Sequence, residues 1–474
     1  MTEQIYKGEK SLVRNEQSFF ATILSVLFFC AAILHLLYVL IPFSALQLIY
    51  SAICFILLAC AFFNITSSSR ILSLILIGTG TYIFITNDVS FTTVLASFGH
   101  NMNVLTLFLL VPLFGLMMSE GGYLKALKEY VAHHKQLVTR PYHLSNVLTA
   151  IMGMFLNLGT VPIVYHMAKE SFSSFHRIKM TLVIQRAFGF CAFWSPYFVS
   201  VGLVISLLNI NWSELVWPGL TCGLVYLLIA IPFNRWLRFD RDQLIGKSDQ
   251  TPKEAADLDP AYRRKTGALF LWTAALFILS MTLDAMLPIS MLTIVSLLAL
   301  VFPLVWAAVL RALPGYIKAA QSELSRSYMR LSNELTIFIS AGFFGVAVSH
   351  TSLGVEISEL ILSLSFGSLY ILSLLVVLST VILALVGIHP VIVLIGVGSS
   401  FQPELFGMEP TYMAVLLLIG WSLATQLSPF SGSVLMTASL TQTSPWLLTR
   451  KNLLFVLVHL LVLPLVLYTL FHLF

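Results

Sequence analysis

Long runs of apolar residues alternate with short polar segments along almost the whole chain. A helix of about 20 apolar residues spans a membrane, so the pattern predicts an all-α polytopic membrane protein with about 11 transmembrane helices. These runs fall at 18–43, 45–63, 71–86, 104–118, 182–208, 212–233, 267–283, 291–310, 335–350, 413–440 and 453–474.

Two further apolar runs, 144–168 and 367–400, are interrupted near their middles, and so are two of the predicted spans, 182–208 and 413–440. An interrupted helix leaves backbone N–H and C=O groups unpaired, and lipid cannot satisfy them. Such interruptions must therefore lie inside the protein or beside a wet cavity, where they can bind a ligand. The interrupting sequences are Gly159-Thr160-Val161-Pro162, Gly387-Ile388-His389-Pro390, Ser195-Pro196 and Ser428-Pro429.

The distribution of basic residues predicts how the interrupted runs lie in the membrane. Cytoplasmic loops are enriched in Lys and Arg, and the longest polar segment, 234–266, carries eight of them. The segments on both sides of 144–168 are also basic, including 169–186 with Arg186 at its end, so this run is predicted to be a re-entrant hairpin that enters from the cytoplasm.

The second interrupted run gives the opposite result. Segments 351–366 and 401–412 contain no Lys or Arg, so the run between them, 367–400, is predicted to be a hairpin that enters from outside. The same rule places the N-terminus in the cytoplasm and the C-terminus outside.

An internal repeat relates the two halves of the chain. Leu105-Thr106-Leu107-Phe108 is similar to Leu335-Thr336-Ile337-Phe338, and the Gly-x-x-Pro and Ser-Pro sequences follow in the same order in both halves. Since the two hairpins enter from opposite faces, this is an inverted-topology repeat, which in transporters places the binding site at the repeat interface. The predicted parts are a leading span, 1–43, repeat 1, 44–233, a cytoplasmic linker, 234–266, and repeat 2, 267–474.

Composition narrows the class of protein. The chain is 58% hydrophobic and only 10% charged, whereas soluble domains carry about 25% charged residues. The net charge of +5 is explained by the cytoplasmic loops, and no basic-aromatic pattern indicates nucleic-acid binding. Hydrolase, protease and Walker A motifs are not found, so we expect neither an enzyme nor a bound cofactor.

The interrupted runs give the chain its resemblance to a known family. Asn157–Pro162, Gly387–Pro390 and the two Ser-Pro sequences resemble the ion transporter superfamily, in particular divalent anion/sodium symporters and arsenite-pump and citrate-permease relatives. Symporters of that kind carry a Ser-Asn-Thr triplet at each hairpin tip; here Asn157 and Thr160 match it, while the second tip has Ile388-His389. The resemblance implies transport by alternating access and a homodimer formed by the unbroken spans.

Unpaired backbone N–H groups and helix N-termini attract anions, whereas free carbonyl, hydroxyl and amide oxygens suit sodium. For each single serine, a hydrogen bond to its own backbone is an equally good interpretation.

His389 is the one titratable residue at a tip, and it could hold the substrate, carry a coupling proton or cap the helix. Sodium is predicted at Asn157, Thr160, Ser200 and Ser433. The predicted substrate-binding residues are Asn157, Gly159, Thr160, Ser195, Pro196, Gly387, His389, Ser428, Pro429, Ser431 and Ser433.

These observations favour a secondary active transporter of a small anion in a bacterial cell membrane, coupled to sodium or protons. A cation/proton antiporter of the same superfamily is the alternative, although no Asp or Glu lies in the middle of a predicted span. No arginine is expected in the interior, so dipoles and a bound cation would carry the substrate's charge. A channel and an intramembrane enzyme rank below these two functions. The expected partners are the substrate and the lipid bilayer.

Overall fold

Helices make up nearly all of the part of the chain that the computed structural model describes, which is residues 2–133, 140–171, 174–236, 244–246, 259–352, 356, 359, 363–388, 390–400 and 408–473. Eleven helices in this part are long and apolar enough to cross a membrane. The predicted all-α polytopic fold is confirmed.

Ten of these eleven helices coincide with predicted spans. The eleventh, Pro141–Lys169, covers the run predicted to be a hairpin. The predicted span 182–208 is instead divided into helices of 15 and 10 residues. Since a helix rises about 1.5 Å per residue, neither half crosses a bilayer alone.

The described residues form 21 α-helices. In chain order they are α1 (Thr2–Leu40), α2 (Ser44–Ala61), α3 (Ser67–Thr86), α4 (Phe91–Ser97), α5 (Met102–Leu110), α6 (Pro112–Glu120), α7 (Tyr123–His133), α8 (Pro141–Leu156), α9 (Thr160–Ser171), α10 (Arg177–Cys191), α11 (Val199–Leu208), α12 (Trp212–Trp236), α13 (Pro260–Met286), α14 (Met291–Val309), α15 (Leu313–Leu324), α16 (Ser327–Val348), α17 (Leu369–Leu385), α18 (Pro390–Ser400), α19 (Pro410–Leu427), α20 (Gly432–Thr441) and α21 (Pro445–Leu473). Two three-residue strands, β1 (Ser174–His176) and β2 (Leu244–Gly246), pair antiparallel.

The chain forms two compact units. Unit 1 contains residues Met1–Leu116 and Ser296–Thr351, and unit 2 contains Met117–Val295 and Ser352–Phe474. Unit 1 holds α1 to α5, α15 and α16, whereas both interrupted spans and both predicted hairpins belong to unit 2.

Unit 1 is held together by helices that pack along their lengths. Helix α3 packs against α16. The Asn101 amide donates to the carbonyl oxygen of Phe338 at 3.0 Å, which joins the start of α5 to α16. Such a hydrogen bond from a buried side-chain amide fixes the register of the two helices, because sliding either one would leave polar groups unpaired.

Helix α19 forms the centre of unit 2. In the interrupted span Pro410–Thr441, 89% of the most apolar stretch of residues is buried, against 22% of the corresponding stretch in Pro260–Met286. A helix that is apolar and buried on all sides lies inside a protein, whereas the exposed apolar side chains of α13 suit contact with lipid.

Local sequence sets the ends of the helices that build the site. The hydroxyl oxygens of Ser368 and Ser431 accept from the amides of Ile371 and Val434, and so begin α17 and α20. Helix α19 ends before Pro429 because a proline disfavours the helical conformation in the residue before it.

Candidate functional site

Two breaks divide the interrupted spans of unit 2. Break 1, residues 192–198, separates α10 from α11, and break 2, residues 428–431, separates α19 from α20. Their prolines, Pro196 and Pro429, are buried. Both breaks lie where the Ser-Pro sequences predicted them.

The first serine of each break binds a hairpin. Ser195 Oγ donates to the carbonyl oxygen of Met154 at 3.1 Å, and Ser428 Oγ donates to that of Ala384 at 2.7 Å. Met154 lies near the end of α8 and Ala384 near the end of α17. Each hydroxyl therefore joins a broken helix to the first arm of the hairpin before it.

The remaining predicted serines satisfy carbonyl groups that the breaks leave free. Ser200 Oγ donates to Ala192 O at 3.4 Å, and Ser433 Oγ donates to Thr425 O at 3.1 Å. Ser431 Oγ also donates to Thr425 O, at 2.7 Å. These hydroxyl groups thus donate to backbone carbonyl groups, and each oxygen keeps a lone pair that could bind a cation. Sodium binding at these residues stays a prediction.

The first hairpin turns at a short 3-10 helix between α8 and α9, and these two helices pack against each other. Asn157 has φ 50°, and its Oδ1 accepts from the amide of Leu158 at 2.8 Å. Gly159 is exposed. Thr160 is buried, and its hydroxyl has no hydrogen-bond partner among the described residues.

The second hairpin turns at Gly387, where φ is 101°. Helix α18 begins three residues later at Pro390, just as α9 begins three residues after Asn157. The backbone therefore pairs Asn157 with Gly387, and the predicted match of Gly159 with Gly387 is shifted by two positions. His389 lies outside the described residues.

A hairpin tip and a broken helix from different halves of the chain meet in unit 2. A Cβ atom at Gly432, the first residue of α20, would lie 3.2 Å from Leu158 Cδ1. A Cβ atom at Gly387 would lie 3.5 Å from the ring of Phe430 in break 2. Since α9 also packs on α20, the N-termini of these two helices lie close together.

The first hairpin arm and the broken helix after it run in the same direction. Cys191 Sγ lies 3.3 Å from Ala150 O, and Ser195 Oγ lies 3.1 Å from Met154 O, so both partners advance by four residues. Helices α8 and α10 are therefore parallel. The chain must return between them, as a hairpin would.

The second half of the chain repeats this arrangement. Ser373 and Tyr412 share a hydrogen bond of 2.7 Å, and Ser428 lies beside Ala384 further along both helices. Helices α17 and α19 are therefore parallel as well.

The two broken helices, by contrast, cross in opposite directions. Gln426 Nε2 donates to Gln185 O at 2.8 Å, and Ser422 Oγ donates to Gly189 O at 3.2 Å. As α10 advances from Gln185 to Gly189, the contacts on α19 go backwards, so α10 and α19 are antiparallel. Gly189 and Ser422 are 233 positions apart, the same separation as the two Ser-Pro sequences.

A buried polar cluster lies beside this crossing, and sequence reasoning missed it. Arg186 has no exposed surface, so the expectation of an interior without arginine is wrong. Its Nε donates to Asn452 Oδ1 and its Nη1 to Asn234 Oδ1, each at 3.0 Å. Both asparagines are buried, although they lie at the ends of predicted spans, where solvated residues are usual.

Comparison of the sequence with protein families and with curated proteins found no match. The site is therefore described by its own geometry. Two hairpin tips, two breaks and a buried polar cluster lie in unit 2.

Proposed function

We propose that this protein is a secondary active transporter of a small anion, built on the plan of the ion transporter superfamily. The observation that carries the proposal is the meeting of Leu158, at a hairpin tip, with Gly432, at a break in the other half of the chain. Corresponding helices of the two halves, α10 and α19, run in opposite directions beside it. Inverted repeats with broken helices at their interface are the usual site architecture of such transporters.

Helix dipoles favour an anion at this meeting point. The N-termini of α9 and α20 carry partial positive charge and unpaired N–H groups, which attract carboxylates and other oxyanions. Gly159 leaves one side of the tip open. The substrate binds between tip and break, and movement of the hairpins alternates its access between the two faces of the membrane.

The coupling ion is sodium or a proton. The oxygens of Thr160, Ser200 and Ser433 suit sodium, a hard cation that prefers oxygen ligands, and the buried hydroxyl of Thr160 has no partner among the described residues. A proton would instead need a titratable group such as His389.

Cation/proton antiport is the second candidate. It usually requires a carboxylate in the membrane interior to exchange a proton for a cation. Among the described residues of unit 2, no Asp or Glu is buried. Anion transport therefore ranks first.

Asn157→Gly tests the site without straining the backbone. Glycine accepts the positive φ of Asn157, so this change removes the amide group and keeps the turn. We expect uptake into proteoliposomes, driven by a sodium or proton gradient, to fall at least about tenfold, as loss of a hydrogen bond to an ion would predict.

Asn209→Gly is the matched control, because Asn209 also has φ 50° but ends α11 at an exposed position. Its uptake should equal that of the wild type. Uptake at the wild-type rate in the Asn157→Gly variant would show that Asn157 is not part of the binding site. Gradient-independent flux at channel rates would overturn the transporter itself.

A further inference from the structure

The guanidinium group of Arg186 is held in one position from several sides. Beside its two bonds to Asn234 and Asn452, its Cζ lies 4.3 Å from the ring centroid of Phe455. An aromatic ring over the guanidinium fixes its plane. The group is therefore preorganised, with the direction of its remaining N–H groups set by the fold.

Its charge has no counter-charge among the described residues. Both side chains that accept its hydrogen bonds are neutral amides, and no described Asp or Glu pairs with Arg186. Nη2 has no hydrogen-bond partner in the same part of the chain. An arginine keeps its proton in proteins, and burying an unpaired charge is unfavourable, so an anion beside Nη2 would lower the free energy.

The cluster reaches break 2 through side chains. Asn452 Nδ2 donates to Gln426 O at 3.3 Å, and Gln426 lies in the last turn of α19, just before the break. Gln426 Nε2 in turn donates to Gln185 O. The side-chain amide of Gln185 is buried, and neither its Nε2 nor its Oε1 has a hydrogen-bond partner among the described residues.

The other half of the chain has no equivalent cation. The residue 233 positions after Arg186 is Ile419, which is fully buried. Break 1 therefore lacks the charge that break 2 has nearby. This asymmetry distinguishes the two breaks, although Ser195 and Ser200 make hydrogen bonds that match those of Ser428 and Ser433.

We propose that Nη2 of Arg186 binds the negatively charged group of the substrate, a carboxylate or another oxyanion, on the break 2 side of the α10–α19 crossing. This inference rests on the proposed function, because it takes the bound anion to be the transported one. One guanidinium neutralises one negative charge of the bound group. Asn234 and Asn452 are positioning residues, which hold the guanidinium while leaving its charge available.

Asn234→Asp provides the sharpest test, since it keeps the shape of the side chain and supplies Arg186 with an internal carboxylate. The full-length protein in detergent would be titrated with sodium acetate, benzoate, nitrate and phosphate against sodium chloride, with thermal stability as the readout. We expect at least one oxyanion to stabilise the wild type saturably. Asn234→Asp should remain folded and bind that anion at least about tenfold more weakly.

Arg186→Lys and Arg177→Gln complete the series. Lysine keeps the charge but not the planar fork, so the Arg186→Lys variant should bind the anion more weakly. Arg177→Gln removes a charge from the first turn of the same helix, at a partly exposed position, and should bind as the wild type does. Unchanged affinity in both Asn234→Asp and Arg186→Lys would overturn the inference, and so would the lack of saturable binding of all four oxyanions to the wild type.

Uptake of the bound anion into proteoliposomes separates this inference from the proposed function. Binding that depends on Arg186 without any uptake would leave the anion site in place and refute the transporter. Gradient-driven uptake that is the same in the wild type and Asn234→Asp would keep the transporter and refute the role of Arg186.

Discussion

Gly189 lies where the two broken helices are in contact. A Cβ atom at this position would lie 2.5 Å from Tyr226 Oη and 2.7 Å from Gln426 Nε2. No real Cβ atom tolerates such distances, so any side chain here must push polar groups out of place. The glycine therefore allows the crossing that brings α10 and α19 together.

Gly189→Ala should destabilise unit 2. The added methyl group would displace Gln426 from Gln185 O, at a cost of about 1–3 kcal/mol, which thermal unfolding in detergent would register as a lower Tm. Gly267→Ala is the control, because no atom lies within 4 Å of a Cβ at Gly267, and its Tm should not fall. An unchanged Tm in Gly189→Ala would show that the contact between α10 and α19 has room for a methyl group.

Single residues were the level at which prediction from sequence was weakest. The positive-inside rule counts charges over a segment and carries no information on the direction of a side chain, so it does not reveal that Arg186 is buried. Asn234 and Asn452 lie at the ends of apolar runs, which look solvated in sequence. Gln185 and Gln426 are the available signals, since each is an amide inside an apolar run.

At each break, a serine hydroxyl group forms a hydrogen bond between the broken helix and a hairpin. The two bonds, to Met154 O and Ala384 O, are made by serines at corresponding positions of the two breaks. Removing either hydroxyl leaves a carbonyl oxygen without that donor. Hairpin and broken helix should then separate more easily.

Ser195→Ala and Ser428→Ala should each lower the free energy of unfolding by about 1–3 kcal/mol. Both should also reduce uptake, since the hairpin tips would no longer be held at the site. Ser379→Ala is the control, because Ser379 donates to Val376 O within its own helix, α17, and is exposed. Equal unfolding temperatures for all three variants would count against the role of these hydroxyls.

The elements themselves were predicted better than the match between them. The breaks follow from prolines, whose effect on the backbone is local and readable in sequence. Alignment by identical residues pairs Gly159 with Gly387, two positions away from the match that the backbone shows. The structure instead uses Asn157 for the positive φ in the first tip, and asparagine adopts such conformations more often than most residues.

For the whole molecule, apolar run length gave ten of the eleven candidate spans. Length and composition do not record where a helix turns back, so they do not distinguish a span from the hairpin predicted at Pro141–Lys169. The structure supplies this information, because α8 and α10 are parallel and the chain must therefore reverse its direction between them. Orientation in the membrane remains a prediction from charge.

Cysteine labelling would test that orientation for both halves of the chain. In a background with Cys30→Ser and Cys60→Ser, which leaves only buried native cysteines, one new cysteine would be placed at a time. Thr92→Cys and Glu409→Cys occupy exposed positions in segments predicted to lie outside, and Ala261→Cys and Ser444→Cys occupy exposed positions in segments predicted to lie inside.

A membrane-impermeant maleimide applied to intact cells should label the Thr92→Cys and Glu409→Cys variants. The Ala261→Cys and Ser444→Cys variants should react only after permeabilisation, which also serves as the control for reactivity. Glu409 decides the central point, because it directly precedes α19 and follows the second predicted hairpin. Protection of Glu409→Cys in intact cells would place the start of α19 on the cytoplasmic side. Because α10 and α19 are antiparallel, α10 would then begin on the outside. The orientation predicted from the basic residues would then be wrong for both halves of the chain, and the two hairpins would enter from the faces opposite to those predicted.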